Sequence, residues 1–404
     1  VTETEGQGRS GAGRADPNDW YNEQFLRAIE KLVDKGLDQT EATIEALDVM
    51  HRAAERAADR HISGIVDAGR EYVSDAASYR AGFEERLRAH WGEALDLYEV
   101  FVAAIEHAGG RFITRNSASN RDEGDDDRER VLAQVLAQLN GQSIRIAREV
   151  HVLLRSGFPL GALALSRSLH EISVRAMVLS EFGKEDEHAD LAERFVLHDH
   201  VANYQDALIY QRDAGKLGYE PFTDEEVEAM KARHDELIDK YGKAYKSQFG
   251  WASGLPDLAG EPTFERMETA ASLGHHRGLY KWSSHVVHGD SKAMRLARIE
   301  RGGRVVVLTN ATNDKLADPG QHALLSLYRT YVAMATSVLP MSFYDDQMCQ
   351  SLQRLLDRIC HLLVDAEKAV GAAEQSMQAE LAKRGLRFDP VLGEVPLLQD
   401  SDTD

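Results

Sequence analysis

Apolar positions along the chain recur three and four residues apart for most of its length, the period of helices that bury one face. Phe25, Leu26, Ile29, Leu32 and Val33 establish the pattern, Gly36 interrupts it, and Leu37, Thr40, Ile44, Leu47 and Met50 resume it. The stretch from Arg52 to Arg60 is rich in alanine and charge, which suits close pairing of helices, although strict heptads are not sustained long enough to predict a coiled coil. Leu95, Tyr98, Val102 and Ile105 carry the period on to Gly109-Gly110. Val131 to Leu154 then reads as helix and Gly157-Phe158-Pro159 as punctuation. Leu160 to Phe182 reads as a helix apolar around most of its circumference, hence central. Further helices are expected from Glu187 to Ala214, from Thr223 to Gln248, up to His288-Gly289, from Gln321 to Ser337 and from Asp345 to Lys383. Thr223 with Glu226 has capping-box spacing. The period changes once, where RLARIE, an Arg301-Gly302-Gly303 turn and RVVVLTN predict a hairpin.

The predicted fold is all-α: a multi-helix bundle with one small β-hairpin near 294–310 and an amino-terminal helical extension. The segment RNSASNRDEGDDDRER joins turn-forming residues to a block of acids and reads as a linker. The expected organisation is a disordered tail over 1–19, an amino-terminal helical region over 20–110, an acidic linker over 111–128, a helical domain over 129–385 and a tail over 386–404.

Composition narrows the classes. With 404 residues, 43% of them hydrophobic, the chain can bury a sizeable core, and no window is apolar for long enough to cross a membrane. A formal charge of -20 argues against broad nucleic-acid binding. Cys349 and Cys360, eleven residues apart in one expected helix, would be separated by roughly 16 Å along its axis, too far for a disulfide. Free thiols and the lack of an apolar leader in the first residues point to a cytoplasmic protein.

Two pairs of polar residues stand four apart inside apolar helical stretches: Arg167 with Glu171, and Ser284 with His288. Desolvating such groups is costly unless something answers them. Arg167 and Glu171 share a face with Leu160, Leu163, Val174 and Val178, and His170 is close to that face. A guanidinium has five donors, so it calls for a further partner or an anionic ligand. Downstream, Arg277, Lys281, Ser284, His285 and His288 form a cationic or protonatable stripe, with His288 beside the helix-terminating Gly289.

The segments LSRSLHEISVRAMVLS and LYKWSSHVVHGD resemble DUF5677, a bacterial domain family of unknown function, over roughly Val131 to Pro340. The resemblance implies an all-helical domain with an Arg-x-Leu-x-Glu helix, a tryptophan segment and a Tyr-x-x-x-Ser-x-x-x-His helix. These correspond here to Arg167, Leu169, Glu171, Trp251, Tyr280, Ser284 and His288. Gly289-Asp290 follows the histidine where a proline or small polar residue is more usual.

These residues define a binding or regulatory module with an internal polar cluster of Arg167, Glu171, Ser284 and His288. His170, Trp251, Tyr280, Lys281 and His285 would line the place of a small anionic ligand. The alternative is a hydrolase, in the extreme a ribonuclease, with His288 or Glu171 as general base, Ser284 beside it and Arg167 steadying negative charge. Arg145 with His151 and Arg354 with His361 approximate an arginine-histidine spacing used by small helical ribonucleases. A metal gathered by His285, His288 and Glu171 would lack the repeated Glu-x-x-His units of carboxylate bundles, so no metal or cofactor is expected. His198-Asp199-His200 reads as a solvated cluster. The amino-terminal helices are candidates for a protein partner or self-association.

Overall fold

The computed structural model describes residues 17–118, 127–301, 304–307, 309–338, 341–389 and 393–396. Most of the expected tail at 1–19 and the acidic centre of the linker, 119–126, lie outside the described residues. Contacts divide the chain at Gly82/Phe83 into two compact units. In the first, α1 (Pro17–Val33) leads through a turn with Gly36 at φ +97° to the start of α2 (Gln39–Ala118). Asp38 starts α2 because its Oδ1 accepts from the amides of Thr40 and Glu41, at 2.8 and 2.9 Å, satisfying donors that lack an intrahelical partner.

The second unit holds the rest of α2, then α3 (Asp127–Arg155), α4 (Pro159–Phe182), α5 (Leu191–Leu217) and α6 (Asp224–Tyr241). Short 3-10 turns and α7 (Phe264–Ala270) lead to α8 (Arg277–His288) and α9 (Ser291–Leu296), followed by α10 (Ala317–Ala335) and α11 (Phe343–Lys383). The fold is all-α. Among the described residues its β structure is confined to two ribbons of four-residue strands, β1 (Arg298–Arg301) against β2 (Arg304–Val307), and β3 (Leu386–Asp389) against β4 (Gly393–Pro396). The strand expected from Arg295 gives way at its start to α9, because Asp290 accepts from the amides of Lys292 and Ala293 and nucleates a helical turn. The ribbon from β3 to β4 lies in the stretch expected to be a plain tail.

Helix α4 is central, as its apolar circumference predicts, packing chiefly on α10 and α3 and, along another edge, on α8. Pro159 opens it at a position whose missing amide costs nothing. The boundary expected at 111–128 is corrected: Trp91, Tyr98, Phe101, Ile105 and Phe112 of α2 are buried in the core of the second unit. Their polar atoms show why. Trp91 Nε1 donates to the Asn313 carbonyl and Tyr98 OH to that of Ala147, both at 3.0 Å, so each buried ring also closes an open carbonyl. Helix α2 also continues through 111–118, the first part of what reads as linker. Helix α6 forms the expected capping box at Thr223 and Glu226, yet ends at Tyr241 because Gly242 turns the chain at φ +88°.

The loop before α10 sets the start of that helix. Glu367 of α11 accepts from the amides of Lys315 and Ala317, and the amide of Thr312 donates to the carbonyl of Gly157 at 2.8 Å. Gly157 has φ +77°, and a Cβ there would lie 2.6 Å from the Phe83 ring and 2.8 Å from the Thr312 carbonyl oxygen. Gly157→Ala is therefore expected to cost about 2 kcal/mol or more of stability, read by urea denaturation. An unchanged midpoint would contradict this packing.

Candidate functional site

Where α4, α7, α8 and α10 meet, the apolar core gives way to charge. Arg167, His170, Glu171 and Arg175 occupy successive turns of α4 and so share one side of it. Arg167 Nε donates to Glu171 Oε1 at 3.2 Å, Arg167 Nη2 donates to Tyr280 OH at 3.0 Å, and Tyr280 OH donates to the same Glu171 oxygen at 3.2 Å. The three side chains thus close a ring of hydrogen bonds across α4 and α8. Arg175 reaches the other Glu171 oxygen at 3.5 Å. The guanidiniums of Arg167 and Arg277 both lie over the Tyr280 ring, 4.8 and 5.1 Å from its centroid, where the negative ring face attracts them. Burial, then the Glu171 charge, pushes the Tyr280 hydroxyl pKa upward and keeps it a donor. The ring is not sealed, since the side chains of Arg167 and Glu171 remain 18% and 26% exposed.

Beneath it lies a second, drier chain of contacts. His170 and Glu268 are fully buried, with His170 Nε2 donating to Glu268 Oε1 at 2.8 Å. Glu268 Oε2 accepts from Arg277 Nη1 at 2.7 Å, and Arg277 Nη2 reaches the exposed Glu265 at 3.2 Å. The buried carboxylate therefore has a strong donor on each oxygen, which is the condition for keeping it charged away from water. Glu268 lies on α7, a helix of only seven residues whose start is fixed by Thr263 accepting from the amide of Arg266.

The third layer comes from α10. The rings of His322 and His276 lie 5.2 and 6.1 Å from that of His170. His276 Nε2 accepts from Arg329 Nη2, which places the proton of the neutral ring on Nδ1. Burial, then the neighbouring Arg329 charge, lowers His276 to about 4. Burial, then the adjacent histidines and Arg329, lowers His322 to about 3. Burial also lowers the Arg329 guanidinium. Among the described residues no carboxylate pairs with Arg329, and its Nη1 and the Nε of Arg277 are buried donors without a hydrogen-bond acceptor. Three guanidiniums, those of Arg167, Arg175 and Arg277, thus share two carboxylates, Glu171 and Glu268, apart from the exposed Glu265, and among the described residues Arg329 pairs with neither.

The expected cluster is corrected in its second half. Arg167 and Glu171 do meet α8, but through Tyr280. Neither Ser284 nor His288 makes a hydrogen bond or ion pair with them. His288 is exposed, two turns or about 12 Å along the axis from Tyr280. Each i, i+4 step also rotates about 40° around the helix, so Ser284 and His288 drift off the face that Tyr280 presents. Lys281 is exposed, and His285 pairs with Asp290 at the carboxyl end of the helix. Trp251 is core, its ring edge-on to Phe195 at 5.0 Å. His170 belongs to the site, although its partner is Glu268 rather than Arg167.

Other polar motifs are local. Arg145 is at the surface with Glu149 while His151 is buried, stacked on Tyr98 and bonded to the Leu95 carbonyl, so the two do not converge. Arg354 and His361 are both exposed on α11. His198, expected to be solvated, is half-buried and bonds the carbonyls of Tyr245 and Ser247. Cys349 and Cys360 are free, with burial raising both thiols to about 11. Among the described residues no three His, Cys, Asp or Glu side chains are arranged to hold a metal ion.

Sequence reading missed Glu268, His276, His322 and Arg329 as site residues. The last two were detectable in principle, being seven apart and so on one side of α10, a helix otherwise largely apolar on its buried face. Glu268 carried no such signal, because α7 is too short to show a period.

Residues 133–303 match the model of a family of unknown function, DUF5677, which agrees with the resemblance carried by the α4 and α8 segments. The match includes Arg167, His170, Glu171, Glu268, His276, Arg277 and Tyr280, and ends before His322 and Arg329 of α10. No curated protein and no solved structure matches the chain.

Depressed histidines make stability depend on pH with a definite sign. Unfolded, each would take up a proton near pH 6.5, whereas folded His276 and His322 resist until about 4 and about 3. Their neutral forms therefore support the fold fully above pH 6.5, and that support is lost as pH falls through the window from 6.5 toward 3. For the fully buried His322, acidification from pH 7 to 5 should remove about 1–2 kcal/mol. The wild-type melting temperature should fall across this range and His322→Gln should flatten the slope; equal slopes would contradict the assignment.

Proposed function

We propose that the matched segment and α10 together form a binding or regulatory module that receives a small anion at the cluster of Arg167, Arg277 and Arg329. The observation that carries this reading is Arg329, a mostly buried guanidinium whose hydrogen-bond partner is a neutral histidine and which no described carboxylate balances. A desolvated cation without a counter-charge is unfavourable, and an oxyanion would answer it together with the unused Nε donor of Arg277. Guanidiniums suit carboxylate and phosphate because their paired N–H groups match two oxygens. Partial exposure of Arg167, Glu171 and Arg277 gives a route for such a ligand from solvent.

The hydrolase reading draws less support. His288, its favoured base, is exposed and far from the Arg167 guanidinium, and Glu171 is already engaged by Arg167, Tyr280 and Arg175.

Calorimetric titration and thermal shift with inorganic phosphate, sulfate, citrate and a nucleoside monophosphate test the proposal. At least one of these should raise the melting temperature by several degrees. Arg329→Met should weaken that ligand tenfold or more, as expected for a lost charge-assisted contact worth about 1.5–3 kcal/mol. His288→Ala should leave binding unchanged. No response to any anion, or equal affinity in Arg329→Met, would overturn the reading.

A further inference from the structure

Residues 62–79 of α2, within the first unit, carry an apolar stripe that no described residue of that unit covers. Ile62, Ile65, Val66, Tyr72, Val73 and Tyr79 are 46–68% exposed, although side chains of this kind are usually withdrawn from water. They are not scattered. Positions 62, 65, 69, 72, 76 and 79 alternate spacings of three and four and form one seam, which Val66 and Val73 widen on one side. The charged residues of the stretch, Asp67, Arg70, Glu71 and Asp75, fall off this seam.

We propose that this stripe is a self-association surface and that its occupant is the same stripe of a second copy, running antiparallel. Size decides the orientation. In antiparallel pairing the layers join Ile62 to Tyr79, Ile65 to Ala76 and Gly69 to Tyr72 of the other copy, and two of these layers set a large side chain against a small one. Parallel pairing would stack Tyr72 on Tyr72 and Gly69 on Gly69, a bulge beside a void.

Gly69 supports the same conclusion. Within a single chain a Cβ at this position would meet nothing within 4 Å, so the packing of one copy does not require a glycine there. Glycine inside a helix costs about 1 kcal/mol relative to alanine. Close approach of the tyrosine of a second copy gives it a purpose. Withdrawing these six large apolar side chains from water is what drives the association.

Sedimentation velocity of the full chain should give a species of twice 45.0 kDa at micromolar concentration. Gly69→Glu should weaken association tenfold or more while circular dichroism shows undiminished helicity, since glutamate favours helix over glycine. In a Cys349→Ser, Cys360→Ser background, Ile62→Cys mixed with Tyr79→Cys should form a disulfide-linked pair, while Ile62→Cys alone should not. A monomeric wild type, or a dimer indifferent to Gly69→Glu, would overturn the surface. Cross-linking of Ile62→Cys with itself would overturn the antiparallel arrangement.

Discussion

The desolvated carboxylate of Glu268 is the constraint around which the second unit's polar centre is organised. A buried acid with no donor would cost several kcal/mol, and either proton uptake or local unfolding would relieve it. Here His170 of α4 satisfies one oxygen and Arg277 of α8 the other, so three helices must keep their relative positions for the charge to stay compensated. This explains how α7, with seven residues and little cooperative helicity of its own, holds a fixed place against α4. It also explains why α8 enters the core by its first turns only. Arg277 and Tyr280 are engaged there, whereas Trp282 and Val287 face solvent.

The apolar frame supports this centre from the other side. Helix α10 packs on α3, α4 and α11, and Glu367 satisfies two amides at its start while Trp91 and Gly157 fix the preceding loop. These contacts determine where His322 and Arg329 stand. Once placed in a dry environment with His276, the histidines remain neutral, and among the described residues no carboxylate pairs with Arg329. Burial thus acts in one sense across the cluster, disfavouring the protonated form of His276, His322 and Arg329 alike.

Much of the fold was legible because helices long enough to repeat a period announce their buried face. α4 reads as central from its apolar circumference, and Thr223 with Glu226 marks the start of α6. The half of α2 after Phe83 was misassigned because an acidic, turn-rich segment looks like a domain boundary whether or not the helix before it packs with the helices after it. In the site, Arg167, His170, Glu171 and Tyr280 were legible through local spacing on α4 and through the α8 motif. Ser284 and His288 were misplaced because sequence spacing gives the angular position on a helix, but not the point at which the helix leaves the core. Glu268 was illegible for a further reason: its partner His170 lies 98 residues away, and no local pattern encodes such a pairing.

The central claim is that the buried carboxyl group of Glu268 is held in the core by its two donors acting together. A double-mutant cycle of Glu268→Gln and Arg277→Met, read as unfolding free energy at pH 7, tests it most directly. Removing both partners should cost less than the sum of the single losses, by about 2 kcal/mol or more. Losses that add to within about 0.5 kcal/mol would contradict it.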